Sequence, residues 1–194
     1  MDELDKRQEA LQKAAHQQIA DLDLKTMLSS FGDVIVVGSV STGLMTWPDI
    51  DIEVTVQKMP AKEMVAELAQ KFFANKDMMR VWMMDNRGKI DPHQPAGLYL
   101  GGKRVVDELI WKFDIWFLLE GEQRSGKDDI EWVQKSLTPK NRQYILRIKD
   151  KIANNPKYRK EIFSIDIYQA VLKEGIITFS EFEKFLKKSG RSLD

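Results

Sequence analysis

The chain has 194 residues, enough for one domain or one with a small appendage, and its 30 basic and 30 acidic residues cancel. That balance gives no overall positive field and disfavours a polynucleotide partner, while the lack of cysteine excludes disulfides and thiolate metal sites. The histidines His16 and His93 are too few for a histidine-rich zinc site, and no apolar run reaches the roughly 18 residues of a membrane span, so oxygen-held metal and a soluble, cytoplasmic protein are expected.

In chain order, Leu4, Leu11, Ala15, Ile19 and Leu22 fall at mostly helical spacing and predict one or two opening helices, stopped by Gly32. "DVIVV" reads as a short apolar strand and "DIDIEVTV" as an alternating one. A helix is expected between Pro60 and Asn75, followed by strands at "MRVWMM", "GLYLGG" and "WKFDIWFLL". The polar stretch "EGEQRSGKDD", residues 120–129, reads as a loop and a boundary. Beyond it Thr138-Pro139 starts a helix with Ile145, Ile148 and Ile152 on one face, "SIDIYQAVLKEG" forms another, and Thr178 with Glu181 forms a capping box for a third. These elements predict an α/β protein: a mixed sheet flanked by helices over residues 1–120, and a helical C-terminal section over 121–194.

The informative stretch is "GSVSTGLMTWPDIDIEV", residues 38–54. Gly38 and Gly43 have phosphate-loop spacing, but Leu44 and Met45 stand where that loop needs Lys and Ser or Thr. A calcium loop on Asp49, Asp51 and Glu53 fails because Val54 stands where it needs glycine. In a strand, alternation sends Ile50, Ile52, Val54 and Val56 to the core and leaves Asp49, Asp51 and Glu53 on the other face. Aspartates at i and i+2 then lie roughly 6 to 7 Å apart and can converge on divalent ions. In "WKFDIWFL" the same parity sets Lys112, Asp114 and Trp116 against Phe113, Ile115 and Phe117. An aspartate within so apolar a strand is costly unless paired or metal-bound. Ser39 and the turn amides can hold phosphate oxygens if "VSTG" begins a helix.

Gly-Ser, then an Asp-Ile-Asp strand, then a later aspartate on another strand resembles the nucleotidyltransferase superfamily of DNA polymerase beta, and in layout the small antibiotic and minimal nucleotidyltransferases. The resemblance spans about residues 20 to 120, and Pro48 departs from it where many members carry Ser. It implies that Gly38 and Ser39 bind a nucleoside triphosphate, and that Asp49, Asp51 and Asp114 are catalytic and hold two Mg2+ ions. It further implies transfer of a nucleoside monophosphate, with ATP as the donor the family suggests, to an acceptor hydroxyl on a small molecule or protein. The competing readings are a partner-binding, antitoxin-like module that keeps the fold without catalysis, and an RNA-end nucleotidyltransferase.

Bland readings stand beside these. The acids could form a solvated strand face, and Asp114 could be an ion pair with Lys112. Arg87, Lys89, Lys103 and Arg104 are expected in loops between the late strands, as a solvated cluster or a triphosphate grip. His93 reads as a loop residue, the C-terminal phenylalanines as packing, and Trp82, Trp111 and Trp116 as core or as base-stacking side chains.

Overall fold

The computed structural model describes residues 2–92, 94–122 and 126–194. His93 and part of the 120–129 stretch, Gln123, Arg124 and Ser125, lie outside the described residues. The described elements run α1 (Glu3–Asp21), α2 (Leu24–Ser29), β1 (Asp33–Val37), α3 (Gly38–Thr42), β2 (Asp49–Val56), α4 (Lys62–Phe73), β3 (Met78–Asp85), β4 (Gly97–Val106), β5 (Leu109–Leu119), α5 (Gly126–Ser136), α6 (Pro139–Ile152), α7 (Ser164–Leu172) and α8 (Phe179–Lys188).

The strands form one five-stranded mixed sheet in the order β1-β2-β5-β4-β3. β2 and β5 pair in parallel at its centre, and every other pairing is antiparallel. The predicted alternation decides which face is dry. Ile50, Ile52, Val54 and Val56 of β2 and Phe113, Ile115 and Phe117 of β5 are buried against Leu11, Ala15 and Ile19 of α1, Leu24 and Leu28 of α2, and Val65, Leu68 and Phe72 of α4. All three helices therefore cover one face, and the acids lie on the other. Asp23, in left-handed geometry at φ 45°, separates the two opening helices.

A second core gathers Val133, Ile145, Leu146, Ile148 and Ile152 with Ile167, Phe182 and Leu186 from the later helices, and takes in Leu44 from the turn after α3. Thr138 and Thr178 accept from the backbone N–H three residues on, at 3.2 Å in each case, as their capping spacing predicts.

Two expectations need correction. The stretch read as a loop over 120–129 already contains the start of α5, a helix with only Ile130, Trp132 and Val133 as apolar signal in a polar setting. Lys103 and Arg104 sit within β4 rather than in a loop, because β4 and β5 extend to a hairpin turn at Asp107 and Glu108. Those two residues take φ 48° and 64°, the left-handed pair such a turn requires, although neither is the glycine or asparagine that would announce it. Among the described residues no helix is long and apolar enough to cross a membrane.

Candidate active site

The parallel register sets Asp51 directly opposite Asp114, and Asp49 opposite Lys112. One carboxylate oxygen each from Asp49, Asp51 and Asp114 lies within 4.8 Å of the others. Three acids this close would repel one another, and their donor set is that of a hard divalent cation. Asp49 supplies a further sign: its Oδ2 accepts from the Trp47 indole N–H at 3.3 Å, but its Oδ1 is sealed from solvent and has no hydrogen-bond partner among the described residues. Burial, and then the neighbouring Asp114 charge, push the Asp49 carboxyl above the usual carboxylate range. A cation bound here would satisfy the orphaned oxygen and relieve the repulsion, so the residues present fit the magnesium that the family resemblance implies.

Asp114 has two protein partners. Its Oδ1 accepts from the Tyr99 hydroxyl, and its Oδ2 pairs with Lys112. The ion pair weighed from sequence is therefore present, in the same carboxylate that completes the acid cluster. Burial and the Asp114 carboxylate hold the Tyr99 phenol well above its ordinary range, so it stays a hydrogen-bond donor. The Lys112 ammonium is held charged by Asp49 and Asp114 against the opposing effect of burial.

Gly38 meets this cluster just past the end of β1, as the first residue of α3. Its φ of +67° is left-handed, and a Cβ there would collide with the Asp51 carboxylate. Only glycine lets the turn and the acid approach so closely. The segment after it does begin a helix, α3, ending at Gly43 in left-handed geometry. Neighbouring elements hold α3 from several sides. Gln12 of α1 donates to the Val40 carbonyl, Gln134 of α5 to the Ser41 carbonyl at 2.7 Å, and Arg142 of α6 to the Gly43 carbonyl at 3.3 Å.

The residue that motif reasoning missed is Lys149 of α6. It is fully buried, and its Nζ donates to Ser39 Oγ at 2.8 Å, to the Leu44 carbonyl at 2.7 Å and to the Tyr168 hydroxyl at 3.3 Å. Its ammonium also lies 4.9 Å from the centre of the Trp47 ring, and the Arg159 guanidinium lies 5.0 Å from the same ring. Trp47 thus binds two cations through its ring and Asp49 through its N–H. Arg159 takes φ +68°, a left-handed conformation that costs a non-glycine residue about 1 kcal/mol or more. The sequence signal for Lys149 is its place inside the apolar stripe of Ile145, Ile148 and Ile152.

Asp49, Asp51, Asp114, Gly38, Ser39, Trp47 and Arg159 all line one cleft of about 710 Å3. The tryptophans divide: Trp111 is buried in the main core, whereas Trp82 and Trp116 line the cleft. Three of the late basic residues, Arg87, Lys89 and Arg104, have partners elsewhere. Arg87 and Lys62 pair with Asp85, Lys89 with Glu122 at 3.7 Å, and Arg104 donates to Gln18 at 2.6 Å.

No protein-family model and no curated protein matches the chain. Solved structures do. The Cid1 poly(U) polymerase aligns with TM-score 0.56 at 16% identity, over 82% of this chain and 49% of that one. The GLD-2–GLD-3 poly(A) polymerase complex aligns with TM-score 0.54 at 13% identity, over 88% of this chain and 58% of that one. CdnC of E. coli MS115-1 with ATP aligns with TM-score 0.52 at 15% identity, over 93% of this chain and 67% of that one. The chain has the nucleotidyltransferase fold. It spans about half to three fifths of the length of the two polymerases. Within that fold the Gly38 turn, the Asp49–Asp51 strand and Asp114 line one cleft.

Proposed function

We propose that this protein is a magnesium-dependent nucleotidyltransferase that moves a nucleoside monophosphate from a nucleoside triphosphate to an acceptor hydroxyl and releases pyrophosphate. The carrying observation is the convergence of Asp49, Asp51 and Asp114 on one point beside the Gly38–Ser39 turn. Asp49 and Asp51 would hold two Mg2+ ions with Asp114 as the third ligand, and magnesium in such a site supplies charge neutralisation of the triphosphate and activation of the attacking hydroxyl. Ser39 Oγ, oriented by the buried Lys149 ammonium behind it, would donate to a phosphate oxygen, and Arg159 adds positive charge on the same side of the cleft. The acceptor oxygen bonds to the α-phosphorus as the bond from that phosphorus to the pyrophosphate oxygen breaks. Asp114 takes the hydroxyl proton. ATP is the donor in this reading, from the family resemblance, and the acceptor is a small molecule or protein.

The likeness to poly(A) and poly(U) polymerases supports an RNA 3′ end as the second reading for the acceptor. The protein incubated with magnesium and each labelled triphosphate, alone and with RNA or a metabolite extract, tests both. Label transfer to the extract that is lost in Asp51→Asn supports the first reading, and transfer to RNA alone supports the second. Neither magnesium-dependent triphosphate binding nor transfer would leave the fold serving as a partner-binding module.

A further inference from the structure

We infer that the side of the cleft beyond Asp114 is an acceptor subsite for a small molecule that carries a flat unsaturated ring beside its reacting hydroxyl, the ring lying against Trp82 and Met84. This deepens the nucleotidyl-transfer reading and rests on it.

Strand order gives the direction. In the proposed reading the Gly38–Ser39 turn and Arg159 take the triphosphate at the β1–β2 side, so an acceptor that reaches Asp114 in line must come from across β5, over β4 and β3. The register places Gly101 opposite Asp114, Tyr99 opposite Trp116, Trp82 opposite Gly101 and Met84 opposite Tyr99. These residues lie on the face that carries the acids. Tyr99, Trp116, Trp82 and Met84 make a small apolar cluster separate from both cores, and all four line the cleft. Tyr99 and Trp116, with ring centres 5.0 Å apart, form its buried backing, while Trp82 and Met84 are only partly buried.

Two details tie this aromatic wall to the chemistry. A Cβ at Gly101 would run into the Trp82 ring and the Tyr99 hydroxyl, so the missing side chain is what lets the indole lie next to the position opposite Asp114. The Tyr99 hydroxyl then hydrogen-bonds Asp114 itself. A ring laid on Trp82 would present a neighbouring hydroxyl to that carboxylate. Ring faces and a thioether favour a flat π-surface, whereas a polyol would need a hydrogen-bond partner for each hydroxyl it buries there.

The test loads the protein with magnesium and whichever of the four non-hydrolysable nucleoside triphosphates it binds, then titrates it calorimetrically with adenosine, tyrosinamide and glucosamine. The loaded protein should bind adenosine or tyrosinamide at least tenfold more tightly than glucosamine. Trp82→Ala should abolish that preference and leave triphosphate affinity within twofold, and Trp82→Phe should restore it. Trp82 is partly exposed on an edge strand, and the triphosphate titration reports that each variant is folded. Glucosamine binding as well as or better than both ring compounds, or ring binding unchanged in Trp82→Ala, would overturn the subsite while the nucleotidyl-transfer reading stands. A protein that binds none of the four triphosphates with magnesium removes that reading and the subsite together.

Discussion

The three aspartates share a site but differ in what each contributes to the folded protein. Asp49 keeps one carboxylate oxygen sealed and unpaired, so its charge strains the metal-free state. Asp49→Asn is therefore expected to abolish magnesium-dependent transfer while leaving the metal-free melting temperature unchanged or higher, which a thermal melt with and without magnesium reads directly. Asp114 instead pairs with Lys112, whose side chain is 36% exposed. That exposure lets water screen the lysine when its partner is removed, so Asp114→Asn should cost only about 1 kcal/mol rather than the several that a sealed cation would. Triphosphate binding should survive through Asp49 and Asp51, and the single-turnover rate should fall at least a hundredfold. A normal rate in the folded variant would reduce Asp114 to a structural ion pair.

At the scale of elements, the strands displayed the candidate site openly and the helices did not. Period-two alternation puts Asp49, Asp51 and Asp114 on the face opposite Ile50, Ile52, Phe113 and Ile115, and the sheet obeys it. Lys149 and Arg159 lie outside that alternation because Lys149 reaches Ser39, and Arg159 the cleft, from the C-terminal section through tertiary packing; the apolar stripe around Lys149 marks its burial but not its partner. Trp47 sits beside the motif, but its bond to Asp49 depends on a side-chain direction that spacing does not encode. The hairpin at Asp107 and Glu108 was hidden for a different reason, since acidic residues there adopt a backbone that their type does not advertise. Helix α6 offers the sharpest test. Lys149→Met keeps the length and packing of the side chain, leaves Ser39 without its donor, and should weaken triphosphate binding at least tenfold in calorimetry. Magnesium binding to Asp49 and Asp51 should stay within twofold; an equal loss of both would make Lys149 a support for the whole cleft.

The whole molecule has two cores, one under the sheet and one among the later helices, and the candidate donor site lies where they meet: Leu44 belongs to the second while Ser39 and the acids rise from the first. A triphosphate held by Asp49 and Asp51 on one side and by Ser39 and Arg159 on the other would bind the folded state only. At a hundred times its dissociation constant it should add about 2.7 kcal/mol to stability with magnesium present. A magnesium-dependent rise in melting temperature that disappears in Asp51→Asn checks this, and a rise without magnesium would point to binding elsewhere.

The central pairing of β2 with β5 has a consequence for how the protein comes into being. The two strands are neighbours in space, yet α4, β3 and β4 intervene in the chain. Contacts of such long loop length are the slow ones to close. The first two acids emerge during synthesis well before the third, and a chain halted before β5 lacks the third acid of the proposed cation site. Ligand competence at the proposed site would therefore be a late event in the maturation of this molecule, arriving with the same parallel contact that joins β2 to β5.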